Sequence, residues 1–293
     1  MRTIAIHQVS TLLLGMASLV ACGGGTGNAS EAAAVARDTI TAQAEPEIVP
    51  DLLLDKVEAG PLLQALFPGT LAKDGKSVDW TSAEDNANTD PTQPTSSSRS
   101  TAGKPITFGR LKDRAVVLLQ TFTVHNGQIA DCRACTPTIG LAIFQKVASG
   151  WQLKAVARRL GGYGANGKTW PQEVVKAGPD RHFLRIAGAF GMGGQNSASY
   201  FFFSLAEDGT PIRMVHEQST LEEYEDPENN ATIGHRATME FVPSGGDYDD
   251  IVATYTRNDR NEAGSMERTT RTETYHFDPT TGKYDSHDPR GGS

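Results

Sequence analysis

From Pro105 to the C-terminus, apolar runs of five to nine residues alternate with turn residues. The runs begin "RAVVLLQTFTV" (114–124), "PTIGLAIFQKV" (137–147) and "GWQLKAVARRL" (150–160). They continue through "RHFLRIAGAF" (181–190), "ASYFFFSLA" (198–206), "TPIRMVHEQS" (210–219), "HRATMEFV" (235–242) and "DIVATYT" (250–256). "MERTTRTETYHF" (266–277) and the short "GKYD" (282–285) close the series. Val, Ile, Thr, Phe and Tyr dominate, and strand length fits better than helix length. Connections such as Ser149-Gly150 and Thr281-Gly282 are short, so consecutive strands pair antiparallel. "YFFFSL" is apolar on both faces, as a central strand covered on both sides would be. "ERTTRTETYH" is polar on both faces, as expected of a solvated edge or a projecting hairpin. The expected fold is mainly β: an antiparallel meander, sandwich or open barrel.

Upstream the texture differs. In "VPDLLLDKVEAGPLLQALFPG", Leu52, Leu53, Leu54 and Val57 suit one helical turn, and Leu62, Leu63, Leu66 and Phe67 suit another. Pro61 stands near a helix start, and Pro68-Gly69 terminates it. Residues 48–81 are therefore expected to form a short helical lead-in that packs on the β body. Residues 82–104, "SAEDNANTDPTQPTSSSRSTAGK", carry almost no apolar side chain and read as a linker. Residues 22–47 are Gly, Ala, Ser, Thr and Glu rich, the composition of a flexible tether. The β domain is assigned to 105–293.

Residues 1–21 join Arg2 to a run too short to span a bilayer, the plan of a signal peptide. The run ends in Leu19-Val20-Ala21-Cys22, which resembles the lipobox of bacterial lipoproteins. That resemblance implies diacylglyceryl transfer to the Cys22 thiol, cleavage before it and acylation of the new amino terminus. Palmitate-type chains then hold the protein to a membrane, since two or more chains anchor stably where one is marginal. Gly23 stands where aspartate commonly marks inner-membrane retention, so the outer membrane is the expected address, on its periplasmic face or its surface. The chain carries a formal net charge of −8, and removing Arg2 with the leader makes it one unit more negative. No Lys/Arg cluster suits a phosphate backbone, so nucleic acid is not an expected partner.

Two cysteines remain, Cys132 and Cys135. A c-type haem motif needs histidine after the second cysteine, where Thr136 stands. Zinc needs four ligands, and only His125 is near. A thioredoxin-like dithiol needs a helix after the first cysteine, whereas "TPTIGLAIF" leads into a strand. A structural disulfide is left as the expected state, with a redox role as the alternative; closing so short a loop contributes about 2 kcal/mol. The segment D-C-R-A-C-x-P-x-x-G-x-A-x-F followed by G-W-x-L resembles stretches of uncharacterised bacterial envelope proteins, with no activity attached.

Other motifs are weaker. Gly162, Gly167, Lys168 and Thr169 satisfy the phosphate-loop spacing, but Trp170-Pro171 follows where a helix should begin. His125, His182, His216, His235, His276 and His287 show no metal-ligand spacing, and no G-x-S-x-G elbow is present. Asp247, Asp249 and Asp250, or "EEYEDPENN", lack the register of a calcium loop. Trp151, Trp170, Tyr163 and Tyr200 suit a core before a glycan-binding face. No cofactor, metal or catalytic residue is assigned. The expected function is a non-catalytic binding or scaffolding module with an envelope protein or glycan partner. The alternative is an envelope enzyme with acid/base residues on its loops.

Overall fold

The computed structural model describes residues 51–81, 97–132, 135–192, 194–207, 209, 211–226, 231–261 and 263–286. The leader, the tether, Cys22, His287 and most of the expected linker lie outside these residues. Within them the chain is mainly β and wholly antiparallel in its pairings, as the alternation predicted.

The first sheet is built from β1 (Leu53–Leu54), β2 (Thr70–Leu71), β3 (Ser77–Trp80), β4 (Ser97–Ala102), β5 (Ile106–Phe108), β6 (Arg114–His125), β7 (Gln128–Ile129), β8 (Thr138–Val147) and β9 (Gly150–Gly162). Its order is β1-β9-β8-β6-β4-β3-β2, with β5 and β7 adding short pairings to β6. One helix, α1 (Ala59–Leu66), lies on one face. Its Leu62, Leu63 and Leu66 are buried with Ala115, Val117 and Leu119 of β6 and Phe144 of β8. The other side chains of the same strands, Val116, Leu118, Leu141 and Ile143, point to a second core. Period-two alternation thus covers both faces of β6 and β8, which explains their nearly unbroken apolar runs.

Two upstream expectations need correction. Leu53 and Leu54 form β1, pairing with Gln152 and Trp151, instead of a helical turn. The expected linker contains β4, seated between β3 and β6. β4 is legible once its partners are known. Ser100 is fully buried, accepts a 2.9 Å hydrogen bond from Trp80 Nε1 and shares one of 2.8 Å with Thr121. Arg99 meets Asp79 through two hydrogen bonds. Polar side chains replace apolar burial here, so hydropathy alone misses the strand. α1 ends at Phe67, and its Leu66 carbonyl accepts a 2.9 Å bond from Arg158 of β9.

A two-stranded hairpin, β10 (Gly164–Ala165) and β11 (Lys168–Thr169), leads to the second sheet. That sheet is a meander of eight strands: β12 (Gln172–Lys176), β13 (His182–Met192), β14 (Gln195–Ser204), β15 (Met214–Asp226), β16 (Ala231–Val242), β17 (Asp250–Arg260), β18 (Met266–Asp278) and β19 (Lys283–Asp285). Leu184 and Ile186 of β13 and Phe201 and Phe203 of β14 meet the first sheet. Phe183 and Phe202, one residue out of phase, face the other way and join Val215, Ile251 and Tyr284. The "YFFFSL" strand is therefore central and covered on both sides, as its sequence predicted.

The meander curls into a half-barrel around that last core. At one end the chain closes on itself: Asp249 N–H donates to the Ala177 carbonyl at 2.8 Å, and Tyr284 Oη donates to the Asp249 carbonyl at 2.8 Å. Phe183, Tyr248, Phe277 and Tyr284 pack there edge to face and face to face. At the other end β15–β18 run on past the core with mostly polar side chains, Ile233 of β16 being buried there.

Candidate functional site

The concave side of the half-barrel has three layers, set by alternate positions of its strands. The closed end is aromatic. Next comes a polar layer: His216 and Gln218 from β15, Tyr255 from β17, and Glu273 and Tyr275 from β18. His216, Gln218 and Tyr255 are buried.

These five groups form a directed chain. Gln218 Nε2 donates to Tyr255 Oη at 2.6 Å, Tyr255 and Tyr275 hydroxyls lie 3.0 Å apart, and Tyr275 Oη donates to Glu273 Oε2 at 2.5 Å. Because the Tyr275 proton goes to the carboxylate, Tyr255 donates to Tyr275. Gln218 Oε1 can only accept, so the 3.3 Å contact with His216 Nε2 assigns the imidazole proton to Nε2. Bonds running one way polarise one another.

Burial then fixes the protonation states of His216 and Tyr275. Removal from water disfavours imidazolium, and His216 is held down at about 4 against an ordinary 6.5, the hydrogen bond to Gln218 acting in the opposite direction. Its ring also lies 4.8 Å from that of Tyr275. The Tyr275 phenol is pushed above its usual range, first by desolvation and then by its bond to Glu273. Tyr284, buried in the aromatic end, is raised by desolvation too.

Beyond the polar layer the half-barrel opens. A cavity of about 260 Å³ is lined by His235, Tyr255, Arg257, Thr269 and Arg271. His235 is held by Ser219 at 3.2 Å, and the Arg271 guanidinium lies 5.0 Å over the Tyr255 ring. Arg271 also meets Glu273, and Arg257 meets Asp259. The lining offers guanidinium, imidazole, hydroxyl and a phenol face, with no carboxylate among its own members.

A second cluster joins the two sheets. The Glu207 side chain, 4% exposed, takes Arg114 Nη1 of β6 at 2.7 Å. It also takes the His182 backbone N–H of β13 at 2.6 Å and His182 Nδ1 at 3.1 Å. A cavity of about 520 Å³ lies beside it, lined in part by Asp113, Asp180 and Leu111. Every oxygen of Glu207 is engaged, so the cluster is a clasp between sheets.

The other expected residues fall as follows. Cys132 and Cys135 stand at disulfide distance, with Cα atoms 4.9 Å apart. The Cys135 carbonyl accepts from Gly167 N–H at 2.8 Å, which ties the loop to the β10–β11 turn. That turn contains the phosphate-loop lookalike. Asn166 and Gly167 both have positive φ, at 53° and 64°, the geometry of a tight hairpin turn with no helix behind it. Thr169 accepts a bond from Gln120 Nε2 at 2.8 Å. Asp247 turns to Arg181 and Asp250 to His276, and among the described residues no acidic or histidine group converges as a metal site. Tyr163 is buried, Trp170 stacks on Phe201, Tyr200 lies under Arg185, and Trp151 borders the helix-side core. These aromatics serve packing, as expected.

Comparison of the chain with protein-family models, curated proteins and solved structures finds no match. The reading of function therefore rests on the half-barrel itself.

Sequence reasoning passed over the polar layer. Its signal was present as polar pairs two residues apart, His216/Gln218 and Glu273/Tyr275, at positions whose alternation aims them inward.

Proposed function

We propose that the protein is a lipid-anchored component of the bacterial cell envelope that binds a polar ligand at the open end of its half-barrel. The ligand class that fits is a glycan bearing hydroxyl and carboxylate groups. Arg257 and Arg271 suit carboxylate, and Thr269 and His235 suit hydroxyls.

One observation carries this reading over a catalytic one. Two groups behind the cavity are held neutral around pH 7 by burial, His216 near 4 and Tyr275 raised above its usual range. General acid–base work favours a group whose pKa lies near the working pH. A bonded layer instead holds the lining in place before a ligand arrives. The anchor rests on Leu19-Val20-Ala21-Cys22, and Gly23 favours the outer membrane. In an oxidising envelope Cys132 and Cys135 would stand as a disulfide that holds the loop leading into β8.

Titration of the isotope-labelled protein with soluble peptidoglycan fragments tests the binding. Chemical-shift changes should centre on His235, Tyr255 and Arg257. No change at millimolar fragment, or changes centred elsewhere, would refute the site. The anchor has its own test. Cys22→Ser should abolish palmitate labelling, and equal label in variant and wild type would refute lipidation.

A further inference from the structure

β18 is thirteen residues long, yet among the described residues only His276, Phe277 and Asp278 have a partner on the side away from β17. From Met266 to Tyr275 the strand is paired, among the described residues, with β17 alone. Residues 266–272 are exposed. Such an edge presents a row of backbone donors and acceptors ready for another strand. We propose that a second copy of this chain fills it, joining two meanders through antiparallel β18 strands about a two-fold axis at Thr269.

The register follows from sterics, ladder geometry and charge. In a strand, alternate residues point their N–H and C=O to the same edge, and an antiparallel ladder opposes outward residues to outward residues. A symmetric pair must therefore centre on a residue. Four centres keep at least seven residues of Met266–Tyr275 in register: 269, 270, 271 and 272. Centre 270 sets Glu267 against Glu273 twice. Centre 271 sets Arg271 against its own mate. Like charges directly opposite destabilise a sheet.

Centre 272 pairs Arg271 with Glu273, but it lays Arg268 beside the mate's His276, where β19 already pairs through Asp285. Two strands cannot occupy that edge. Centre 269 meets none of these obstacles. It opposes Glu267 and Arg271 twice, sets Arg268 against Thr270 and brings Met266 against Thr272. It also stops short of β19, because the β17–β18 turn carries the chain back toward β17. Met266, 44% exposed in the single chain, gains a neighbour on its own face.

The test uses the full-length chain carrying Cys22→Ser, with no ligand added, so it is independent of the glycan reading. Thr269→Cys places two thiols on the axis, while Thr274→Cys places them far apart in this register. A short thiol cross-linker should trap the Thr269→Cys dimer at least tenfold faster than the Thr274→Cys one. Sedimentation should show that Glu267→Arg and Arg271→Glu each weaken the dimer by roughly tenfold, since each replaces two opposite-charge pairs by like ones. Combining Glu267→Arg with Arg271→Glu should restore association. A monomer at every accessible concentration, equal cross-linking at 269 and 274, or no rescue in the double variant would overturn the proposal. Hydrogen exchange adds a check that needs no variant: outward amides of residues 266–272 should slow on concentration. Amides that exchange at one rate across concentrations would also overturn it.

Discussion

The two ends of the half-barrel are made largely from the same strands, yet they have opposite characters. At the closed end Phe183, Phe202, Tyr248, Phe277 and Tyr284 fill the concavity, and the β16–β17 loop bonds back to the β12–β13 turn. At the open end β15–β18 carry mostly Thr, Glu and Arg, dressed by cross-strand pairs such as Thr254 with Thr272 and Arg236 with Glu223, and Ile233 is buried there outside the aromatic core. Backbone pairing differs in place: β15 and β16 pair only from Leu221 to Asp226, toward the open end, and β19 pairs with β18 only at His276–Asp278, toward the closed end. What divides the ends is the apolar area removed from water, so stability belongs to one end and accessible chemistry to the other.

The contrast breaks most sharply by emptying the closed end. Phe202→Ala should cost about 3–5 kcal/mol, because a fully buried ring leaves a cavity between β14 and the later strands. Thr254→Ala at the open end should change stability by about 0.5 kcal/mol or less. Urea unfolding of the two variants measures both. Similar losses would mean that the ends are not divided in this way.

Next is the clasp that seats the meander on the first sheet. Glu207→Gln should cost about 3 kcal/mol, since Arg114 and His182 then face a neutral amide in a buried place. The loss should appear in unfolding experiments with little change in the open-end resonances. An unchanged midpoint would show that the two sheets hold together without the clasp.

The polar layer between the ends gives a pH signature. His216 is neutral in the fold down to about 4 but titrates near 6.5 when unfolded. Between those values the unfolded chain binds more protons, so stability falls as pH drops through this window and is fully present above about 6.5. At 1.36 kcal/mol per pH unit, the loss attributable to His216 reaches about 2 kcal/mol by pH 5. His216→Phe should flatten that part of the acid slope while costing some stability at pH 7, where Gln218 Oε1 loses its donor. Parallel slopes for wild type and variant would remove the imidazole from the account of acid sensitivity.

A modest effect is expected at the first sheet. Replacing both Cys132 and Cys135 by Ser should cost about 2 kcal/mol or less, because the loop they close is short and the β6–β8 pairing remains. Melting of the oxidised protein and the double variant measures it. A loss well beyond that would give the pair a larger structural part than one turn.

Much of this architecture could be read from residues alone, for a physical reason. Strands from Arg114 onward bury side chains at alternate positions or on both faces, and hydropathy records that burial directly. The same logic recognised β14 as central and read β18 as a solvated edge or projecting hairpin; among the described residues it is an edge from Met266 to Tyr275 and is covered by β19 beyond that. It failed where hydrogen bonds or charge pairs stand in for apolar contact. β4 is held by Ser100 and Arg99, and hydropathy assigns "SSRSTA" to a linker. Leu53 and Leu54 looked helical because two apolar neighbours cannot distinguish a turn of helix from a two-residue strand. The pairing of β1 with β9 and of β4 with β6 is a long-range choice that no local window contains. The polar layer was half legible: inward i, i+2 polar pairs announced it, but their union across three strands needed the curl of the sheet.

The division between a folding end and a binding end is tested most directly by the variant Arg257→Ala combined with His235→Ala. Both side chains line the open cavity, and neither belongs to the aromatic core. Titrated with peptidoglycan fragments, this variant should keep the wild-type melting temperature while losing the shift changes at Tyr255 and its neighbours. Undiminished binding, or unfolding of the closed end along with the loss of binding, would contradict the division.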